Sequence, residues 1–84
     1  SMKLYTLKLK EPQYDCIRGV MVASDSIPNA LEEFYRYYCY KDGELVRDIP
    51  FALRSSNMDI ECIGEFIPSK KLESNILFVD FYDA

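Results

Sequence analysis

Apolar and polar side chains alternate along the first ten residues of this chain, and this pattern constrains the fold more than any other feature. Tyr5, Leu7 and Leu9 fall on one side of an extended backbone, whereas Thr6 and Lys8 fall on the other. A period of two residues is typical of a half-buried strand and does not fit a helix. The chain therefore begins with a strand that needs a sheet to pair with and a layer to cover its apolar side.

Strand character is found in four segments, with short polar or proline-containing breaks between them. Residues 3–10 and 16–23 flank Glu11-Pro12-Gln13, where the proline cannot donate to a strand ladder, and the short break predicts an antiparallel hairpin. Alternation returns over residues 58–67 and 75–82. We therefore expect four strands, of which the first two form a hairpin.

A single helix is predicted between the two halves of the sheet. Asp25 or Ser26 can cap its first free N–H groups, and Pro28 fits the first turn, where its missing donor is not needed. Apolar side chains then recur at helical spacing at Ile27, Ala30, Leu31, Phe34 and Tyr38. Gly43 is read as the stop signal of a helix that ends near Tyr40.

The order of elements predicts an α+β fold. It is β-β-α-β-β in a single domain, residues 1–84, with one helix packed on one face of a mainly antiparallel four-stranded sheet. Residues 44–57 are expected to form an irregular loop that holds Ile49, Phe51 and Leu53 against the sheet edge. The side chains expected to face the helix are Tyr5, Leu7, Leu9, Ile60, Cys62, Leu77, Val79 and Phe81.

Charge limits the partners of the chain. It carries 14 acidic and 10 basic side chains, a formal net charge of −4 at pH 7. Proteins bind the phosphates of nucleic acid with clustered positive charge. The net negative charge of this chain therefore disfavours direct nucleic-acid binding and favours a protein partner with a basic surface. No segment has the length and apolar character of a membrane span or a signal peptide, so a cytoplasmic location is predicted.

The side chains most often used for chemistry are sparse. Histidine is absent, and the three glycines stand singly, so no phosphate-binding loop is present. Cys16, Cys39 and Cys62 lack the spacing of a zinc site and are expected to be buried free thiols. A protein with no catalytic residues, metal or cofactor is therefore predicted, one that works by binding.

The face of the sheet away from the helix is the predicted contact surface. Alternation places aromatic and acidic side chains there, a combination suited to a partner that carries arginine or lysine. The residues assigned to partner binding are Asp59, Glu61, Glu65, Phe78, Asp80 and Tyr82. An ordinary solvated face and a symmetric homodimer are the alternatives.

Tyrosines crowd the end of the helix. Tyr37 and Tyr40 are candidates for contact, because tyrosine offers a large amphipathic area. The alternative is that they cover the following loop and pack on Phe51, and this interpretation is favoured.

Several short motifs together resemble small proteins carried by bacteriophages and mobile elements. They are Tyr14-Asp15, Gly19-Val20-Met21-Val22-Ala23-Ser24, Ile63-Gly64-Glu65 and Ile76-Leu77-Phe78-Val79-Asp80-Phe81. That group includes anti-CRISPR inhibitors, which block a host nuclease complex by binding it. The resemblance implies an inhibitor of a host defence complex that acts by stoichiometric protein–protein binding. The expected partner is a host protein or ribonucleoprotein complex with a basic surface. A homodimeric structural or regulatory domain is the alternative function.

Overall fold

The computed structural model describes residues 1–82, and the last two residues of the predicted domain lie outside this range. Seven elements follow one another along the chain. They are β1 (Lys3–Leu9), β2 (Cys16–Ser24), α1 (Ile27–Cys39), β3 (Tyr40–Lys41), β4 (Glu44–Leu45), β5 (Met58–Glu65) and β6 (Ile76–Tyr82). Two short 3₁₀ turns, Phe51–Leu53 and Ser55–Asn57, precede β5.

The main sheet has four antiparallel strands in the order β5-β1-β2-β6. This arrangement confirms the predicted α+β class, and β1 and β2 form the predicted hairpin. β5 and β6 lie at opposite edges of the sheet, with the first hairpin between them. Residues 66–75 therefore lead the chain from one edge of the sheet to the other.

One side of the sheet is covered by α1 together with the segment that follows it. Phe34 of α1, Leu7 of β1, Val22 of β2 and Leu53 of the first 3₁₀ turn are fully buried and form the centre of the core. Partly buried side chains complete this layer at Leu31, Tyr35, Tyr38, Ile49, Ala52, Ile60, Ile76 and Val79. The core is therefore built by three elements: the sheet, the helix and a turn.

The first turn of α1 is capped by a side chain, whereas its last residue is followed directly by extended backbone. Ser26 caps the first turn, because its Oγ accepts a hydrogen bond from the Asn29 backbone N–H at 3.2 Å. The helix ends at Cys39, and Tyr40 is already extended. Thirteen residues make up this helix, and no helix among residues 1–82 is long and apolar enough to cross a membrane.

A short β-hairpin with strands of two residues each follows the helix directly and was not predicted. β3 and β4 pair antiparallel around Asp42 and Gly43, whose φ angles are 51° and 82°. Positive φ at both central residues is the geometry of a type I′ turn, for which Asp-Gly is a preferred pair. Gly43 therefore serves a hairpin, and its assignment as the stop of the helix is wrong, because both structures use the same left-handed backbone.

The segment before β5 belongs to the core, although no regular element was predicted there. Leu53 is completely buried, and its carbonyl oxygen accepts a hydrogen bond from the Tyr35 hydroxyl at 3.0 Å. Ile49 is half-buried, as expected, but Phe51 is 72% exposed, so its predicted burial is wrong. Phe51 and Leu53 are the first and last residues of one 3₁₀ turn and point in different directions, so burying Leu53 exposes Phe51.

Candidate protein-interaction surface

The side of the sheet away from α1, called the open face below, carries most of the predicted contact residues. The strand register pairs Thr6 with Met21 and Met21 with Phe78, so these three side chains form a row across β1, β2 and β6. Phe78 is 59% exposed, whereas Thr6 is buried. The row thus ends at an exposed aromatic ring, as the alternation predicted.

Two predicted carboxylates lie on the open face at the other edge of the sheet. Asp59 pairs with Lys8, and Glu61 pairs with Thr6, which places both acidic side chains on the same side as the Thr6 row. Both are exposed. Neither takes part in an ion pair among the described residues, so both carboxylates can interact with groups outside the chain.

Glu65 does not join them. A register shift between Leu4 and Tyr5 leaves Ile63 as an extra residue in β5, and beyond it Glu65 pairs with Lys3. Lys3 shares the side of Tyr5, which faces the core, so the prediction that Glu65 lies on the open face is wrong. Counting alternate residues fails here because a bulge reverses which residues face each side.

A second register shift changes β6 in the same way. Val22 pairs with Ile76 and Met21 pairs with Phe78, which leaves Leu77 unpaired. Ile76 therefore packs against the core in the place predicted for Leu77. Val79 packs there as predicted, whereas Phe81, across from Ile17, lies on the helix side but remains 51% exposed.

An arginine that the sequence analysis did not single out organises the β6 end of the open face. Arg18 makes two hydrogen bonds to the Asp80 carboxylate, Nε to Oδ2 at 2.8 Å and Nη2 to Oδ1 at 3.1 Å. Its guanidinium lies 5.4 Å from the centre of the Tyr82 ring, which Tyr14 contacts edge-on. Arg18 and Asp80 are 62 positions apart, so no local sequence pattern indicates this pair.

The two hydrogen bonds from Arg18 change the pKa of the Asp80 carboxyl. A hydrogen bond from Arg18 holds the pKa of the Asp80 carboxyl below its usual range, and the positive charges of Arg18 and Lys8 act in the same direction. Since the pKa of Asp80 is depressed by folding, the stabilising effect of the pair is present above the pKa of an unfolded aspartate, about 3.9. It is lost as the pH falls through the lower, folded value.

We expect the Asp80 carboxyl to titrate at a higher pH in Arg18→Gln than in the unmodified protein. Carboxyl-carbon NMR across an acid titration measures this directly. Arg36→Gln is the matched control, because it removes a different exposed ion pair, Arg36–Glu32 at 2.8 Å, and leaves Asp80 untouched. An identical Asp80 midpoint in the unmodified protein and Arg18→Gln would show that the pair does not persist in solution.

A hollow of about 420 Å³ lies beside this pair on the open face. Thr6, Met21 and Phe78 line it together with Lys8 and Gly19. A Cβ atom on Gly19 would lie 3.3 Å from Cγ of Lys8 and 3.2 Å from the backbone oxygen of Leu7, so the glycine leaves room for the lysine stem. The hollow is thus an apolar depression bordered by both positive and negative charges, able to receive one side chain of a partner.

The tyrosines near the helix end form a separate surface. Tyr37 and Tyr40 remain 49% and 48% exposed, and Tyr40 belongs to β3 instead of α1. Tyr37 borders a hollow of about 640 Å³ that also reaches Phe81. Phe51 is mostly exposed and lies against the Arg54 guanidinium, so the favoured interpretation, in which these tyrosines cover the following loop and pack on Phe51, is wrong.

The cysteines differ in exposure, which corrects the expectation that all three are buried. Cys39 is buried, Cys16 is half-buried and Cys62 is exposed, and all three are free thiols. Burial raises the pKa of the Cys39 thiol, and the charge of Asp48 adds to this effect. Cys62 sits across from Tyr5 on the helix side, as predicted, but at an edge strand where the core layer leaves it uncovered.

No protein-family model, curated protein or solved structure matches this chain. The fold and the surface therefore define only a class, a one-helix antiparallel α+β domain with an exposed aromatic and charged sheet face. Within residues 1–82 no three metal-ligating side chains come together.

Proposed function

We propose that this protein is a non-enzymatic binding module whose open face contacts a basic surface of a protein partner. Its particular role, in this proposal, is to inhibit a host defence complex such as a CRISPR effector by stoichiometric binding, as the resemblance to small phage-carried proteins implies. Phage or mobile-element origin and action in the bacterial cytoplasm belong to the same proposal.

The observation that supports this function best is the exposure of the Phe78 side chain on the open face. A phenylalanine that is 59% exposed beside an apolar hollow contributes no core packing that would explain its place there. Aromatic side chains next to a pocket and within a rim of polar groups are typical centres of protein–protein contacts. Tyr82, 38% exposed, supplies a second ring on the same face.

The charges of the open face refine which carboxylates would meet a basic partner. Asp80 is already engaged by Arg18, whereas Asp59 and Glu61 form no ion pair among the described residues. We therefore assign the electrostatic contact to Asp59 and Glu61, and the aromatic contact to Phe78 and Tyr82. Asp80 then holds Arg18 in place against Tyr82 and does not itself contact the partner.

The test is a titration of DNA or RNA cleavage by purified CRISPR effector complexes. Complete inhibition near one inhibitor per complex is expected for at least one effector type. Phe78→Ala should weaken inhibition roughly 30-fold, the effect of losing an aromatic anchor worth about 2 kcal/mol. Glu61→Gln should weaken it about threefold, because an exposed charge contributes less than a buried ring.

Glu65→Gln is the matched control, since it removes the same charge from the same strand but on the opposite side of the sheet. It should inhibit as the unmodified protein does, and circular dichroism should show all three variants folded. Equal losses in the two glutamine variants would mean that net charge, and not the open face, governs binding. Full inhibition by Phe78→Ala would show that the open face is not the contact surface. The absence of inhibition in every effector type would refute the inhibitor role.

A further inference from the structure

The outer edge of β6 has main-chain groups that pair with no other strand among residues 1–82. The carbonyl oxygen of Tyr82 accepts a hydrogen bond from the Asp15 N–H at 2.7 Å, so the main chain of Tyr82 is directed toward β2. Successive residues of a strand direct their N–H and C=O groups to alternate sides. Phe78 and Asp80 therefore also bond β2, whereas Val79 and Phe81 direct their main-chain groups outward.

Exposed aromatic side chains flank this edge on both faces of the sheet. Phe78 and Tyr82 lie on the open face, with Tyr14 against Tyr82, and Phe81 lies on the helix side near Tyr37. Each of the five rings is at least 38% exposed. Over residues 78–82 this edge lacks lysine, proline and unpaired charge, which keep strands from pairing with other chains, and the register shift at Leu77 lies before this stretch.

The opposite edge of the sheet is protected. β5 carries Asp59, Glu61 and Glu65 along its length, and the extra residue Ile63 interrupts its register. Charges and bulges on an edge strand are common barriers to pairing. β6 has a register shift as well, but it lies at Leu77, before residues 78–82, whereas that of β5 falls beside carboxylates that form no ion pair among the described residues. β6 is therefore the edge better suited to receive another strand.

The residues of β6 complement themselves. In an antiparallel pair of two β6 strands centred on Asp80, Val79 lies opposite Phe81 of the second copy on the helix side. On the open face, Phe78 lies opposite Tyr82 of the second copy. The outward main-chain groups of Val79 and Phe81 then meet their counterparts and form about four hydrogen bonds. Aromatic and aliphatic side chains directly opposite one another are stabilising cross-strand pairs.

We propose that a second copy of this chain pairs with the outer edge of β6, antiparallel and centred on Asp80, to form a symmetric dimer with a continuous eight-stranded sheet. The two Asp80 side chains would lie opposite each other, and like charges at such positions repel. Arg18 removes this obstacle, because each carboxylate is already bound by a guanidinium at 2.8 Å and 3.1 Å. Two alternating ion pairs then stand at the dimer axis.

The proposal does not depend on the open face binding an effector. A β6 dimer leaves Asp59 and Glu61 uncovered but sets Phe78 opposite Tyr82 of the second copy, so these two rings are shared by both proposals. Phe81 on the helix side and Glu61 on β5 each belong to one proposal alone, and variants of these two residues therefore test dimerisation and partner binding separately. The occupant is a second copy, because the apolar and aromatic residues of β6 are arranged symmetrically about Asp80 and match a copy of themselves. A strand from an unrelated protein needs no such symmetry.

Sedimentation equilibrium of the unmodified chain from about 1 to 100 μM is expected to show a monomer–dimer equilibrium. Phe81→Lys should raise the dissociation constant of the dimer at least about tenfold, since it removes two Val79–Phe81 pairs and adds a charge to the edge. Ile63→Lys is the matched control, an exposed apolar residue on the opposite edge strand, and it should leave the constant unchanged.

Amide hydrogen exchange locates the contact. The Val79 and Phe81 amides should become protected as the concentration rises, whereas those of Phe78, Asp80 and Tyr82 should be protected at every concentration. A monomer up to 100 μM, or a dimer in which the Val79 and Phe81 amides exchange freely, would overturn the proposal. Phe81→Lys changes a side chain on the helix side, so it should inhibit an effector as the unmodified protein does. This result separates a failure of the dimer from a failure of the proposed function.

Discussion

Leu53→Ala is expected to lower the free energy of unfolding by about 2–5 kcal/mol, the range for truncating a fully buried leucine. The loss should be large because Leu53 fills the centre of the core from a turn, and its neighbours on α1 and β1 cannot close the cavity without moving that turn. Urea denaturation followed by circular dichroism measures the change. For a domain of this size we expect a fall in Tm of at least about 10 °C.

Phe51→Ala is the matched control for this prediction. Phe51 starts the same 3₁₀ turn but is 72% exposed, so its truncation should change the free energy of unfolding by no more than about 0.5 kcal/mol. A similar small effect at both positions would show that the turn does not pack into the core in solution.

Phe34→Ala is expected to have the largest effect on stability, about 3–5 kcal/mol. Phe34 is fully buried, and its ring lies 5.6 Å from that of Tyr35 and 6.1 Å from that of Tyr38. A domain of this size has a total stability of roughly 5–10 kcal/mol, so this variant is expected to lose at least about a third of it and to unfold at a much lower temperature. Differential scanning calorimetry and amide exchange provide the measurement.

Two further variants keep the Phe34 prediction open to test if the alanine variant does not fold. Phe34→Leu keeps most of the volume and should cost less than about 2 kcal/mol. Tyr37→Ala lies one turn further along α1 at 49% exposure and should cost less than about 1 kcal/mol. If Tyr37→Ala lowers the free energy of unfolding more than the two Phe34 variants do, the face of α1 that carries Phe34 is not the one packed in the core.

The regular parts of the fold were predictable because they obey simple periods. Tyr5, Leu7 and Leu9 mark β1 by strict alternation, and Ala30 and Phe34 mark the buried side of α1 by a spacing of four. Each signal is local, so it survives without knowledge of the partner elements. The fold class follows from the order of these signals along the chain.

What could not be predicted depends on contacts between distant segments. The bulge at Ile63 moves Glu65 to the helix side. Gly64, with a φ angle of 150°, is the local signal, because an isolated glycine within a strand favours a bulge, but it does not say which residue is the extra one. Leu53 packs against the sheet as predicted, but the 3₁₀ turn that carries it and the exposure of Phe51 were not predicted, because this segment has no periodicity. Of the six residues predicted on the open face, Glu65 lies on the helix side, and the other five are on it: Asp59, Glu61, Phe78, Asp80 and Tyr82.

The Arg18–Asp80 pair was missed for the same reason. β2 and β6 had been predicted as strands, but not as neighbours, so no basis existed for bringing residues 18 and 80 together. Asp80 was therefore predicted as a free acidic contact, whereas Arg18 binds it. The strand order, more than the identity of any single residue, is what the sequence did not provide.

The placement of β5 and β6 on the outside of the first hairpin has a consequence for synthesis on the ribosome. β1, β2 and α1 emerge first, yet both outer sides of their hairpin stay unsatisfied until residues 58–65 and 76–82 have been translated. Pairings between such distant segments form slowly because a long loop must close first. The nascent chain thus carries open strand edges on both sides of this hairpin until β5 and β6 have been made, the period in which it is most prone to aggregate.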